Sequence, residues 1–181
     1  ASQTTYLLKR WKRVELFQAN APADAVRQFV QEIDHHLDRA HGRCWFADPA
    51  RAAELARTLE YFHGTRYTLG AYCIMANHTH VLVTPHEGID LSEILHSWHG
   101  FNATALYKRE GQVGKVWYDE SYDTIPRDRE HLWNIIQYIG RNPWKAHIPE
   151  ERWVRWVNPD WQALGWDFYD APNRGRYRPL K

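Results

Sequence analysis

Two β-rich runs with almost nothing between them constrain this chain more than any other feature. Residues 66–76, RYTLGAYCIMA, and 78–84, HTHVLVT, are rich in β-branched and aromatic residues and meet near Asn77. A gap that short predicts paired strands joined by a turn. Helical patterns flank the pair. Asp48-Pro49 places a cap and a first-turn proline ahead of ARAAELARTLEYFH, which Gly64 ends. Asp90 serves as N-cap for a helix from Leu91 through SEILHSWHGFNATALYKRE. Asp128 caps the last helix, REHLWNIIQYIGRNP, which Pro143 limits.

The remaining stretches read less regularly. TTYLLKRWKRVELF is extended, with apolar and basic residues interleaved. In the segment after Pro22 and Asp24, Val26, Phe29, Val30, Ile33 and Leu37 recur at helical spacing up to Gly42. CWFA is a strand-like step, and VWYDESYDTI returns to strand. The Trp-rich segment after about residue 150 carries no assignable pattern. Strands interleaved with helices predict an α+β sandwich with one helix-covered sheet.

At 181 residues the chain suits one core domain, read here as 1–150 followed by a Trp-rich, basic tail over 151–181. Two cysteines, Cys44 and Cys73, exclude a disulfide framework and are not spaced for zinc. No apolar run approaches the roughly 18 residues of a membrane span, and no secretory signal opens the chain. A reducing, cytoplasmic setting is the default expectation. Net charge is only +1, so composition alone does not announce a nucleic-acid binder. Basic residues nevertheless cluster at Lys9, Arg10, Lys12 and Arg13, and again at Arg174, Arg176, Arg178 and Lys181. Such clusters suit phosphate contacts, although many are plain solvated faces. Ten Trp and ten Tyr exceed what a core this size needs, and surface rings can stack on bases.

Two local patterns carry chemistry. His78 and His80 alternate about Thr79 in a strand, so both imidazoles fall on one face, about 7 Å apart along the backbone. Two imidazoles on one face can converge on one divalent ion, yet the same spacing also suits ordinary structural histidines. Tyr138 and Asn142, four apart on the final helix, share a face one turn apart. There a phenol can meet a metal-bound phosphate, and an amide oxygen can ligate a hard ion such as Mg²⁺.

In context the two patterns resemble a known family. AYCIMANHTHVLVTP resembles the HUH segment of the REP-associated tyrosine transposases, M-P-N-H-x-H-h-L, with Met75, Asn77, His78, His80 and Leu82 on the pattern. Ala76 departs from it where proline is usual. DREHLWNIIQYIGRNPWKA is similar to the family's nucleophile helix, L-x-x-h-h-x-Y-I-x-x-N-P-x-x-A, through Leu132, Tyr138, Ile139, Asn142, Pro143 and Ala146. GKVWYDESYDTIPRD resembles the strand ahead of that helix. DPARAAELARTLEYFHGTRYTLGAY resembles the lead into the histidines. The likeness covers roughly residues 44–150, with residues 24–41 resembling a helical elaboration of some members.

The resemblance implies a ferredoxin-like (RRM-like) antiparallel sheet covered by helices, with the histidines on a central strand. It implies a divalent ion, Mg²⁺ or Mn²⁺, held by His78, His80 and Asn142, with Tyr138 as nucleophile. The expected substrate is single-stranded DNA with REP-like palindromic hairpins of bacterial genomes, cut through a 5′-phosphotyrosine and rejoined without ATP. That substrate would place the protein in the cytoplasm at the nucleoid, as a monomer or a homodimer. A free phenol titrates near pH 10, and no unambiguous general base stands out; His86, His96 and His99 are the nearest in sequence. Lys9, Arg10, Lys12, Arg13, Lys108 and Arg109 are the candidates for tracking the DNA backbone. Two other readings compete: a regulator of the same fold that grips hairpin DNA with little or no cleavage, and a phosphodiesterase in which water attacks.

Overall fold

The computed structural model describes residue 32 and residues 43–111, 114–117 and 123–169. The chain divides into two units, Ala1–Cys44 and Trp45–Lys181; the described residues belong almost wholly to the second. Its elements run α1 (Pro49–Glu60), β1 (Tyr67–Ile74), β2 (Thr79–Pro85), α2 (Leu91–Glu110), α3 (Arg129–Lys145), β3 (Val154–Val157) and α4 (Pro159–Ala163). The three strands form one antiparallel sheet in the order β2-β1-β3. The architecture is α+β, an antiparallel sheet covered by helices.

Two of the three longer helices start where a side chain takes up free amides. Asp48 accepts from the amides of Ala50 and Arg51 at the start of α1, and those bonds hold its carboxyl below the usual range. Asp128 accepts from His131 N at 2.7 Å at the start of α3. Asp90 precedes α2 without such a bond. At its other end α3 runs past Pro143 to Lys145, further than a proline stop predicts. It then closes with a paired Schellman arrangement, His147 N to Trp144 O and Ile148 N to Pro143 O. His147 takes the left-handed position there, at φ 55°.

β1 is the middle strand, and both of its faces are covered. Tyr67, Leu69, Tyr72 and Ile74 pack with Leu55 and Leu59 of α1 and with Ile94 and Trp98 of α2. Ala71 and Cys73 point the other way, joining Leu82, Val157 and the α3 residues Ile136 and Ile139. Strand alternation alone would put Leu69 and Ala71 on one face. A register shift between them, at Gly70, flips the phase and lets both cores form. Burying one such aliphatic side chain stabilises the fold by ~1.5–3 kcal/mol. In the α1/α2 core, the Tyr67 hydroxyl donates to Leu59 O at 2.8 Å and accepts from Trp98 Nε1 at 2.9 Å, so one buried group ties three elements.

Residues 150–169, without pattern in sequence, pack on this unit. Val154–Val157 pairs with β1. Asn158 donates through N and Nδ2 to the carbonyls of Gly70 and Leu69, satisfying the irregular stretch of β1. Trp161 lies over Gly70, where a Cβ would stand 2.7 Å from the indole. Further on, Gln137 of α3 bonds Asp167 O and Tyr169 N, and Phe168 covers Gly140.

Three expectations change. The strand-like CWFA step is a 3-10 turn, Trp45–Ala47, that buries Phe46 and bonds its amide to Ala76 O. Residues 114–117 and 123–127 of the expected strand ahead of α3 carry no strand; residues 118–122 lie outside the described residues. Among the described residues, the middle of the sheet belongs to β1, and the histidine-bearing β2 flanks it.

Candidate active site

β2 delivers the histidines. The preceding turn is closed by a bond from Met75 N to His78 O at 2.9 Å. His80 pairs across from Cys73, on the α3 side of the sheet. The two rings stand edge to face with Nε2 atoms 3.1 Å apart. Asn77 Oδ1 lies 2.9 Å from His78 Nδ1. An amide oxygen only accepts, so that nitrogen carries the proton and leaves Nε2 with its lone pair in the neutral ring. Burial pushes His78 down to about 4. It pushes His80 down to about 3, helped by the nearby His78 and Lys145. Both rings are therefore neutral at pH 7, the state in which imidazole ligates metals.

α3 brings Tyr138 to this pair. Its ring meets His80 edge to face, centroids 5.4 Å apart, and Lys145 Nζ lies 4.5 Å from the centre of the Tyr138 ring. The Tyr138 hydroxyl is buried without a hydrogen-bond partner. One turn on, Asn142 is fully buried; its Nδ2 donates to Tyr138 O at 2.9 Å, while its Oδ1 has no partner. Buried polar atoms are normally paired, so two orphaned oxygens one turn apart on the same helix face call for an absent partner.

A divalent ion fits that description. An ion bound at about 2.1 Å by two ligands at right angles sets their donor atoms about 3 Å apart, close to the 3.1 Å between the imidazole nitrogens. Asn142 Oδ1 is a hard oxygen donor with nothing else to serve. No group of three or more His, Cys, Asp or Glu converges among the described residues, so the set rests on two imidazoles and an amide.

The other expected site residues lie elsewhere. Lys108 and Arg109 sit in the last turn of α2, which packs on the opposite face of the sheet. There they line a groove with Glu54, Phe101, Thr104 and Ala105. His99 stacks on Trp117, centroids 4.6 Å apart, within that same side of the unit. His86 bonds Thr68 and Thr65 O. Lys9, Arg10, Lys12, Arg13 and the basic residues from Arg174 onward lie outside the described residues. Sequence reasoning missed Asn77, Arg141 and Lys145. The signal for the last two was present: with Tyr138 and Asn142 they fall at i, i+3, i+4 and i+7, one helical stripe.

A helix-covered antiparallel sheet that sets a tyrosine against a histidine pair defines the class to which this chain is to be compared. Residues 48–142 match the family model described as transposase, IS200 like. The chain belongs to the IS200-like transposase family, and its activity is accordingly that of a DNA transposase. No curated protein and no solved structure matches it. Among the described residues, no helix is long and apolar enough to cross a membrane.

Proposed function

We propose that the protein cuts and rejoins single-stranded DNA with Tyr138 as nucleophile, on REP-like palindromic hairpins. The observation that carries this reading is the Tyr138 hydroxyl, buried and unpartnered on a ring that packs edge to face against His80 of the same chain. A core tyrosine would have found an acceptor, as Tyr67 and Tyr72 do.

Tyr138 Oη attacks phosphorus, its proton passes to solvent, and the P–O3′ bond breaks. The leaving strand takes a proton and departs as a free 3′-hydroxyl. The 5′ end remains esterified to Tyr138, which conserves the bond for a later 3′-hydroxyl to reverse the step. His78, His80 and Asn142 would hold Mg²⁺ or Mn²⁺, whose contribution when bound is to polarise a non-bridging phosphate oxygen. Asn77 fixes the His78 tautomer, and the Tyr138 carbonyl fixes the Asn142 amide. Burial keeps both imidazoles unprotonated and available. All of these groups come from one chain, so the reading needs only a monomer.

The test is incubation with end-labelled hairpin DNA and Mg²⁺ or Mn²⁺. A covalent adduct that survives denaturation and vanishes in Tyr138→Phe is expected. Binding without adduct in the wild type, across metals and hairpins, identifies a regulator. Cleavage retained in Tyr138→Phe but lost in His80→Ala identifies attack by water.

A further inference from the structure

We infer that Arg141 and Lys145 form a phosphate grip beside Tyr138, holding the scissile phosphodiester of single-stranded DNA; this rests on the reading of Tyr138 as nucleophile.

The two cations share the α3 stripe with Tyr138 and Asn142. Lys145 is exposed, and its ammonium lies 4.5 Å from the centre of the Tyr138 ring. Arg141, one turn from Tyr138, has a buried Nε without an acceptor. Among the described residues neither has a carboxylate partner. The ion pairs among the described residues are Arg51 with Asp48 and Glu110, Arg66 with Glu93, and Arg109 with Glu110. They sit on α1, on α2 and at the entry to β1, and none of them involves a cation of α3. The only acid on α3 is Glu130, in its first turn and far from the stripe's end.

A guanidinium nitrogen withdrawn from water without an acceptor is an unmade charge-assisted hydrogen bond. A phosphodiester supplies the acceptor that is missing. Its geometry suits a division of labour: the planar guanidinium bonds the non-bridging oxygens, and the ammonium acts as a point charge. Placed one and two turns on from Tyr138 along the same stripe, the two would hold phosphorus in reach of the hydroxyl. They would also offset the charge that grows on the phosphoryl oxygens as the new bond forms.

The experiment compares wild type with Arg141→Gln, Lys145→Gln and Lys145→Arg. Hairpin DNA binding is followed by anisotropy in EDTA over a range of salt, and single-turnover adduct formation in Mn²⁺. Each Gln variant is expected to flatten the slope of log affinity against log salt by about 0.7, the value of one phosphate contact on a single strand. Adduct formation is expected to slow by about 10²-fold, as when one oxyanion donor is lost. Lys145→Arg should restore the slope and most of the rate. Unchanged slope and rate in both Gln variants, with adduct forming in the wild type, overturns the grip and leaves Tyr138 standing. A flattened slope with no adduct in the wild type supports the grip and sinks the nucleophile. Should Arg141→Gln fail to fold, the exposed Lys145 position decides the matter alone.

Discussion

Asn142 Nδ2 donates to the backbone carbonyl of Tyr138 at 2.9 Å, so the residue that bears the hydroxyl also aims the amide. The carbonyl can only accept, which forces the nitrogen inward and leaves Oδ1 directed elsewhere, buried and unpaired. An unsatisfied buried acceptor costs about 1–3 kcal/mol. A metal bound at Oδ1, as proposed above, would relieve that cost.

Replacing Asn142 with Leu removes the strained oxygen together with the proposed ligand. The metal-free variant is expected to melt within about 1 kcal/mol of the wild type, because relief of the orphan offsets the lost bond to Tyr138. Saturating Mn²⁺ at about 100 times its Kd stabilises the wild type by ~2.7 kcal/mol and should stabilise the variant far less. Calorimetry with and without EDTA reads both. An equal metal response in the two proteins would remove Asn142 from the ligand set.

Acid should weaken the metal-free fold through the histidine pair. His78 and His80 ionise near 6.5 when unfolded but at about 4 and about 3 when folded. Below pH 6.5 the unfolded chain therefore binds more protons. Their contribution is complete above pH 6.5 and is lost as pH falls toward 4 and then 3. Urea midpoints in EDTA between pH 7.5 and 4.5 should fall, and fall less steeply in a His78→Gln/His80→Gln double variant. Parallel profiles would contradict the burial of the pair.

Gly140→Ala ordinarily gains about 1 kcal/mol in a helix interior. Here the added methyl would enter the Phe168 ring, and a net loss of about 1–3 kcal/mol is expected. Pairing it with Phe168→Ala should make the two changes less than additive by chemical denaturation. Additive losses would mean that the ring does not rest on α3.

His147 occupies a left-handed position at φ 55° with a side chain that gains nothing from it. His147→Gly removes backbone strain of about 1–2 kcal/mol, partly offset by the greater freedom of an unfolded glycine. A stabilisation of about 0.5–1 kcal/mol should appear as a higher melting temperature. A lower one would count against the Schellman ending.

Much of the site was legible because its motifs are local. His78 and His80 owe their shared face to strand alternation, and Tyr138 and Asn142 owe theirs to the helical repeat. The caps Asp48 and Asp128 and the helix starting at Leu91 were likewise written into neighbouring residues. What stayed hidden depends on residues distant in sequence. Phe46 reads as strand until its amide is seen to meet Ala76. That the sheet lies between Lys108 and Arg109 on α2 and Tyr138 on α3 shows only in the fold. Val154–Val157 carries too short a pattern to announce a strand, and only β1 gives it one. The grip proposed for Arg141 and Lys145 likewise rests on where the ion pairs lie, which no local pattern shows.

The Trp161 indole over Gly70 and the Phe168 ring over Gly140 have a consequence for what counts as the working piece of this protein. The segment recognisable by family ends at residue 142, yet the third strand and both aromatic buttresses come later. A polypeptide stopped soon after α3 would keep Tyr138, Asn142 and both histidines and lose the brace that seats that helix on the sheet. The family segment carries the motifs, and the Trp-rich stretch beyond it keeps them aligned.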